Sequence, residues 1–65
     1  MVKYPHIDVQ LTGEDGNGFF IIGRVMKAMR QSGVPREEID AFSAEATSGD
    51  YNNLIQVCMR TVNVS

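Results

Sequence analysis

Phe19-Phe20-Ile21-Ile22-Gly23-Arg24-Val25-Met26-Lys27-Ala28-Met29-Arg30-Gln31-Ser32-Gly33 is the segment around which the rest of the chain is organised. Ile22, Val25, Met26 and Met29 recur at intervals of three and four, and Phe19 joins that stripe one turn earlier. This is helical periodicity with one apolar face. Gly33 is a natural stop, because glycine accepts the left-handed conformation that ends many helices. Gly23 in the helix interior costs about 1 kcal/mol relative to alanine, which predicts close approach of another backbone there. Phe20 and Ile21 flank the stripe. If exposed they mark an interface; if buried, this helix is the apolar centre of the fold.

Upstream, Gly13-Glu14-Asp15-Gly16-Asn17-Gly18 is a turn, with Asn17 placed as the helix N-cap. Before it, His6 to Thr12 alternates polar and apolar residues, the period of a strand with one wet face. Ile7, Val9 and Leu11 would point inward. Downstream, Pro35 fits the first turn of a second helix, followed by the N-terminal acids Glu37, Glu38 and Asp40 and the apolar stripe Ile39, Phe42 and Ala46. Ser48-Gly49 ends it. Asp50 caps a third helix from Tyr51 to about Thr61, with Leu54, Ile55, Cys58, Met59 and Val62 as its buried face. Val62-Asn63-Val64 alternates again, as a short last strand pairing with the first or, alternatively, as a frayed helix end. The expected fold is α+β: an N-terminal β-strand, three helices and a short C-terminal strand, in one small domain spanning 1–65.

The chain has 65 residues, six Lys and Arg against eight Asp and Glu, a net charge of −2, 43% hydrophobic residues and 22% charged ones. That is globular composition, and no run approaches the roughly 20 apolar residues of a membrane span. A chain this short buries only about 60% of its unfolded surface. Its single cysteine, Cys58, permits no internal disulfide, and His6 is the only histidine. Self-association is therefore the expected source of extra stability, and a homodimer the expected state. The free thiol and the lack of a signal-like N-terminus suggest a cytoplasmic protein.

Several chemical motifs fail. Placing Gly18 at the glycine position of a calcium loop leaves Gly13 where the first ligand belongs and Arg24 where the closing glutamate belongs. The turn lacks the phosphate-binding glycine patterns, and Glu14 and Asp15 would repel a phosphate. His6 has no nucleophile motif near it, and Cys58 falls on an apolar helix face, where thiols are usually inert. No catalytic residue, metal ligand or cofactor is expected. A site built across a dimer seam from His6, Asp8, Glu14 and Asp15 is the least supported alternative.

Val9-Gln10-Leu11-Thr12-Gly13, Asp15-Gly16-Asn17 and Ile21-Ile22-Gly23-Arg24-Val25 resemble segments of a group of small bacterial and mobile-element proteins. Glu45-Ala46-Thr47-Ser48-Gly49-Asp50-Tyr51 and Cys58-Met59-Arg60 are similar to the same group. The resemblance spans nearly the whole chain and implies a self-contained domain. It implies no activity and no site residue.

Two function classes follow. The first is a non-enzymatic interaction module that self-associates, with Phe20, Ile21 and Gly23 as candidate interface. The second is a nucleic-acid or acidic-partner binder using a basic face of Arg24, Lys27 and Arg30, joined by Arg60. The competing reading of those cations is a surface answered by Glu37, Glu38, Asp40 and Glu45 of the second helix.

Overall fold

A computed structural model describes residues 2–10 and 18–65. Its elements run strand β1 (Tyr4–Val9), helix α1 (Gly18–Gln31), helix α2 (Arg36–Ala46), helix α3 (Tyr51–Thr61) and strand β2 (Val62–Val64). The α+β order and the short last strand are as read from the sequence. Leu11, Asn17 and the turn through 13–17 lie outside the described residues.

The two strands pair in parallel, with Tyr4 opposite Val62, Asp8 opposite Asn63 and Val9 opposite Val64. The register shifts between Tyr4 and Asp8, the stretch that contains Pro5, which has no N–H to give to a ladder. A parallel pair needs a long crossover, and three helices stand between these strands. The ladder is extended at both ends: Lys3 N–H donates to Arg60 O at 2.8 Å and Ser65 N–H to Val9 O at 3.0 Å. On its exposed face, Asn63 Nδ2 donates to Asp8 Oδ1 at 2.6 Å.

Local chemistry explains where each helix stops. Gly33 takes a φ of +83°, Val34 N–H donates to Met29 O at 3.0 Å, and Gly33 N–H donates to Arg30 O at 3.1 Å. This is the paired closure in which a left-handed glycine satisfies the last carbonyls. Pro35 is the N-cap of α2, one position before the first turn in which the sequence placed it. The end of α2 is sealed by side chains: Thr47 Oγ1 donates to Ser43 O at 2.8 Å, Ser48 Oγ to Glu45 O at 2.7 Å, and Asn53 Nδ2 to Glu45 O at 3.1 Å. Asp50 caps α3 by accepting from Asn53 N–H at 2.9 Å. A Cβ on Gly49 would stand 2.9 Å from Asn53 Cβ, so this packed corner excludes a side chain there.

The core joins Ile7 and Val9 of β1, Ile21, Ile22, Val25 and Met29 of α1, Ile39, Phe42 and Ala46 of α2, Leu54, Val57 and Cys58 of α3, and Val62. Thr61 is buried with them because its hydroxyl donates to Val57 O at 2.7 Å, which satisfies the polar group inside its own helix. Three expectations change. Phe19 is 84% exposed and does not join the α1 stripe. Met59 is 56% exposed, and Val57 takes the buried position on α3 instead. Gly23 is exposed, and among the described residues a Cβ there would meet nothing within 4 Å, so no described backbone approaches it.

Candidate functional site: the outward face of the first helix

The helix α1 has two faces of different chemistry. Ile21, Ile22, Val25 and Met29 are buried. Ile21, at 3% exposure, is thereby a core residue and not part of an exposed surface. Phe20, at 60% exposure, and Gly23 lie on the outward face together with Lys27, at helical spacing. Phe19 sits beside them at the mouth of an open cavity of about 390 Å³ between α1 and the α2–α3 corner, lined by Ile22, Ala46, Thr47, Tyr51 and Leu54 among others. The exposed ring of Phe19 was legible as apolar, but its burial depended on which element passes opposite the first turn.

The basic residues do not form one patch. Arg24 Nη1 donates to Gln10 O at 2.8 Å, which turns its guanidinium towards the end of β1. Arg60 stands on α3 and reaches Glu45 Oε1 at 4.0 Å, so it belongs to the α2–α3 side. Lys27 and Arg30 are exposed and make no ion pair among the described residues.

The acids of α2 are answered by other partners than the α1 cations. Arg36 pairs with Asp40 at 3.8 Å, one helical turn apart. Lys3 pairs with Glu38, and Tyr4 Oη donates to the same carboxylate at 3.2 Å. The hydrogen bond from Lys3, then its charge, then the Tyr4 hydroxyl hold the Glu38 carboxyl below its ordinary range. The same hydrogen bond raises Lys3. These contacts tie the start of β1 to α2. The Lys3–Glu38 pair is exposed and the Tyr4–Glu38 bond only partly buried, so they orient the strand more than they stabilise the fold.

His6 is exposed and meets Tyr4 edge-on, with ring centroids 6.2 Å apart. Cys58 is fully buried, and burial pushes its thiol up to about 11. Such a thiol is protonated at neutral pH and a poor nucleophile. His6 faces away from Ile7, whose side chain shares the core with Cys58, so the structure does not bring the two together. Among the described residues, no cluster of His, Cys, Asp or Glu could hold a metal ion, and no helix is long and apolar enough to cross a membrane. Glu14 and Asp15 lie outside the described residues.

No family model, no curated protein and no solved structure matches this chain. Function must therefore be read from its own geometry.

Proposed function

We propose that this chain is a non-enzymatic interaction module that self-associates through the outward face of α1. The observation that carries this reading is Phe20, 60% exposed, one turn from a mid-helix glycine with open space above it. An exposed interior glycine weakens its helix, and no contact among the described residues offsets that cost. Contact with a second chain would bury the aromatic ring and use the free space over Gly23. A 65-residue fold with a single thiol and a two-stranded sheet also gains most from such burial.

Sedimentation velocity from micromolar to near-millimolar concentration tests this reading. The wild-type chain is expected to shift to a dimer, and Phe20→Ser to move the transition to higher concentration with an unchanged circular dichroism spectrum. A wild-type chain that stays monomeric throughout, or a Phe20→Ser variant that associates equally well, overturns it.

A second reading rests on Lys27 and Arg30, which lack ion-pair partners among the described residues. As a binder of nucleic acid, the chain would shift labelled DNA or RNA at low salt, with affinity falling steeply as salt rises. Two such cations, with Arg24 turned to Gln10 and Arg60 on another side, make a small footprint.

A further inference from the structure

We infer that a second copy of the chain also joins through the sheet, by antiparallel pairing of the outer edge of β1 with the same edge of its partner, centred on Ile7. This deepens the self-association reading and rests on it. The sheet has only two strands, so one edge of β1 meets no strand among the described residues. Ser65 N–H donates to Val9 O, which turns the backbone groups of Val9 towards β2. Backbone groups alternate between the two edges of a strand, and burial alternates without a break from exposed His6 to buried Val9. Ile7 therefore faces β2 as Val9 does, and the N–H and C=O of His6 and Asp8 face outward. A row of such groups is a template for another strand.

The edge is bounded at both ends, and the bounds fix the register. On one side lie Pro5, which has no N–H, and the register shift after Tyr4. On the other, Arg24 Nη1 already donates to Gln10 O. In an antiparallel pair, residues that face outward must meet residues that face outward. Two-fold pairing then allows His6 on His6, Asp8 on Asp8, or His6 on Asp8. The first sets Asp8 opposite Tyr4, which lies beyond the register shift and is paired with Val62. The second needs Gln10 O and sets two carboxylates opposite each other, which destabilises a sheet. The third, centred on Ile7, lets His6 and Asp8 exchange both backbone hydrogen bonds and sets an imidazole beside a carboxylate in two places. Both side chains are exposed and on one face. Asp8 Oδ1 accepts from Asn63, and the carboxylate keeps a second oxygen to accept from the imidazole.

The edge adjoins the outward face of α1. Lys27, which shares that face with Phe20, lines a cavity with Asp8, Val9 and Gln10. One partner can therefore cover the strand edge and the helix face together, related by a single two-fold axis. Each contact needs the other. A standard interface buries about 800 Å² per partner, more than the edge of a six-residue strand supplies. The helix face adds area, and the strand edge adds the directed hydrogen bonds that set orientation. Pairing also turns a two-stranded sheet, marginal by itself, into a four-stranded one.

Proline tests the edge, with sedimentation velocity as readout and circular dichroism as the control for folding. Asp8→Pro removes an outward N–H and no bond to β2, a position where strands tolerate proline. Asp8→Ala controls for the lost carboxylate. Asp8→Pro is expected to self-associate at least about tenfold more weakly than Asp8→Ala, because each copy loses a donor and its ring blocks the partner strand. If Asp8→Pro does not fold, a charge exchange decides instead. His6→Asp and Asp8→His are each expected to associate more weakly than wild type, and their equimolar mixture to recover most of that loss, because imidazole then meets carboxylate at both contacts. A wild-type dimer that Asp8→Pro leaves as strong as Asp8→Ala does, or a mixture that recovers nothing, overturns the edge pairing while the self-association reading stands. A monomeric wild type overturns both.

Discussion

The buried and outward faces of α1 are made from the same fourteen residues, yet the fold accounts for only one of them. Ile21, Ile22, Val25 and Met29 each meet the sheet or another helix in the core. Phe20, Gly23 and Lys27 point away from it, and the sequence there follows no rule for a solvated helix surface. An aromatic ring and an interior glycine on a wet face both act against the isolated domain. The inward face is thus explained by folding, and the outward face is not.

Substitutions on the two faces test this contrast. The largest effect belongs to the inward face. Met29→Ala, at a side chain 1% exposed, is expected to lower stability by about 2–5 kcal/mol. Urea unfolding measures it, and a loss below about 1 kcal/mol would mean that the core can close around the gap. In a chain of this size, such a loss is a large share of the total.

The glycine tests both faces at once. Gly23→Ala is expected to raise stability by about 0.5–1 kcal/mol, since the added methyl meets nothing within 4 Å among the described residues. Self-association should fall in the same variant, because the methyl occupies the space over the helix. A gain in stability with unchanged association would place Gly23 outside the contact.

The smallest effect concerns the exposed tie between Lys3 and Glu38, far from either face. Glu38 is lowered from its ordinary pKa, so its contribution is present above the unfolded value and lost as pH falls through the folded one. Lys3 is raised, so its contribution is present below the unfolded value and lost as pH rises through the folded one. Wild type should therefore exceed Glu38→Gln in melting temperature by a small margin around neutrality, and the margin should vanish in acid and in strong alkali. A margin that persists in acid would show that the ion pair is not its source.

Much of the fold was legible because its signals are local. Asp50 caps α3, Gly33 closes α1, and Ile39, Phe42 and Ala46 are all buried. A cap, a left-handed glycine and a three-four apolar spacing each depend on residues within one or two turns. The candidate site was legible in part. Phe20 and Gly23 stand exposed together, but Ile21 next to them is core, because a rotation of about 100° per residue carries it to the opposite face.

The order of the elements, the stops between them and the inner residues of α2 follow from local sequence. Long-range packing sets the rest: β2 runs parallel to β1, Phe19 and Met59 stay outside while Val57 goes in, and Arg24 and Arg60 leave the basic face for Gln10 and Glu45. The reason is distance along the chain. Helix ends and amphipathic periods are set by near neighbours, whereas strand direction, burial at a helix end and the partner of a long cationic side chain depend on which distant segment comes to lie opposite.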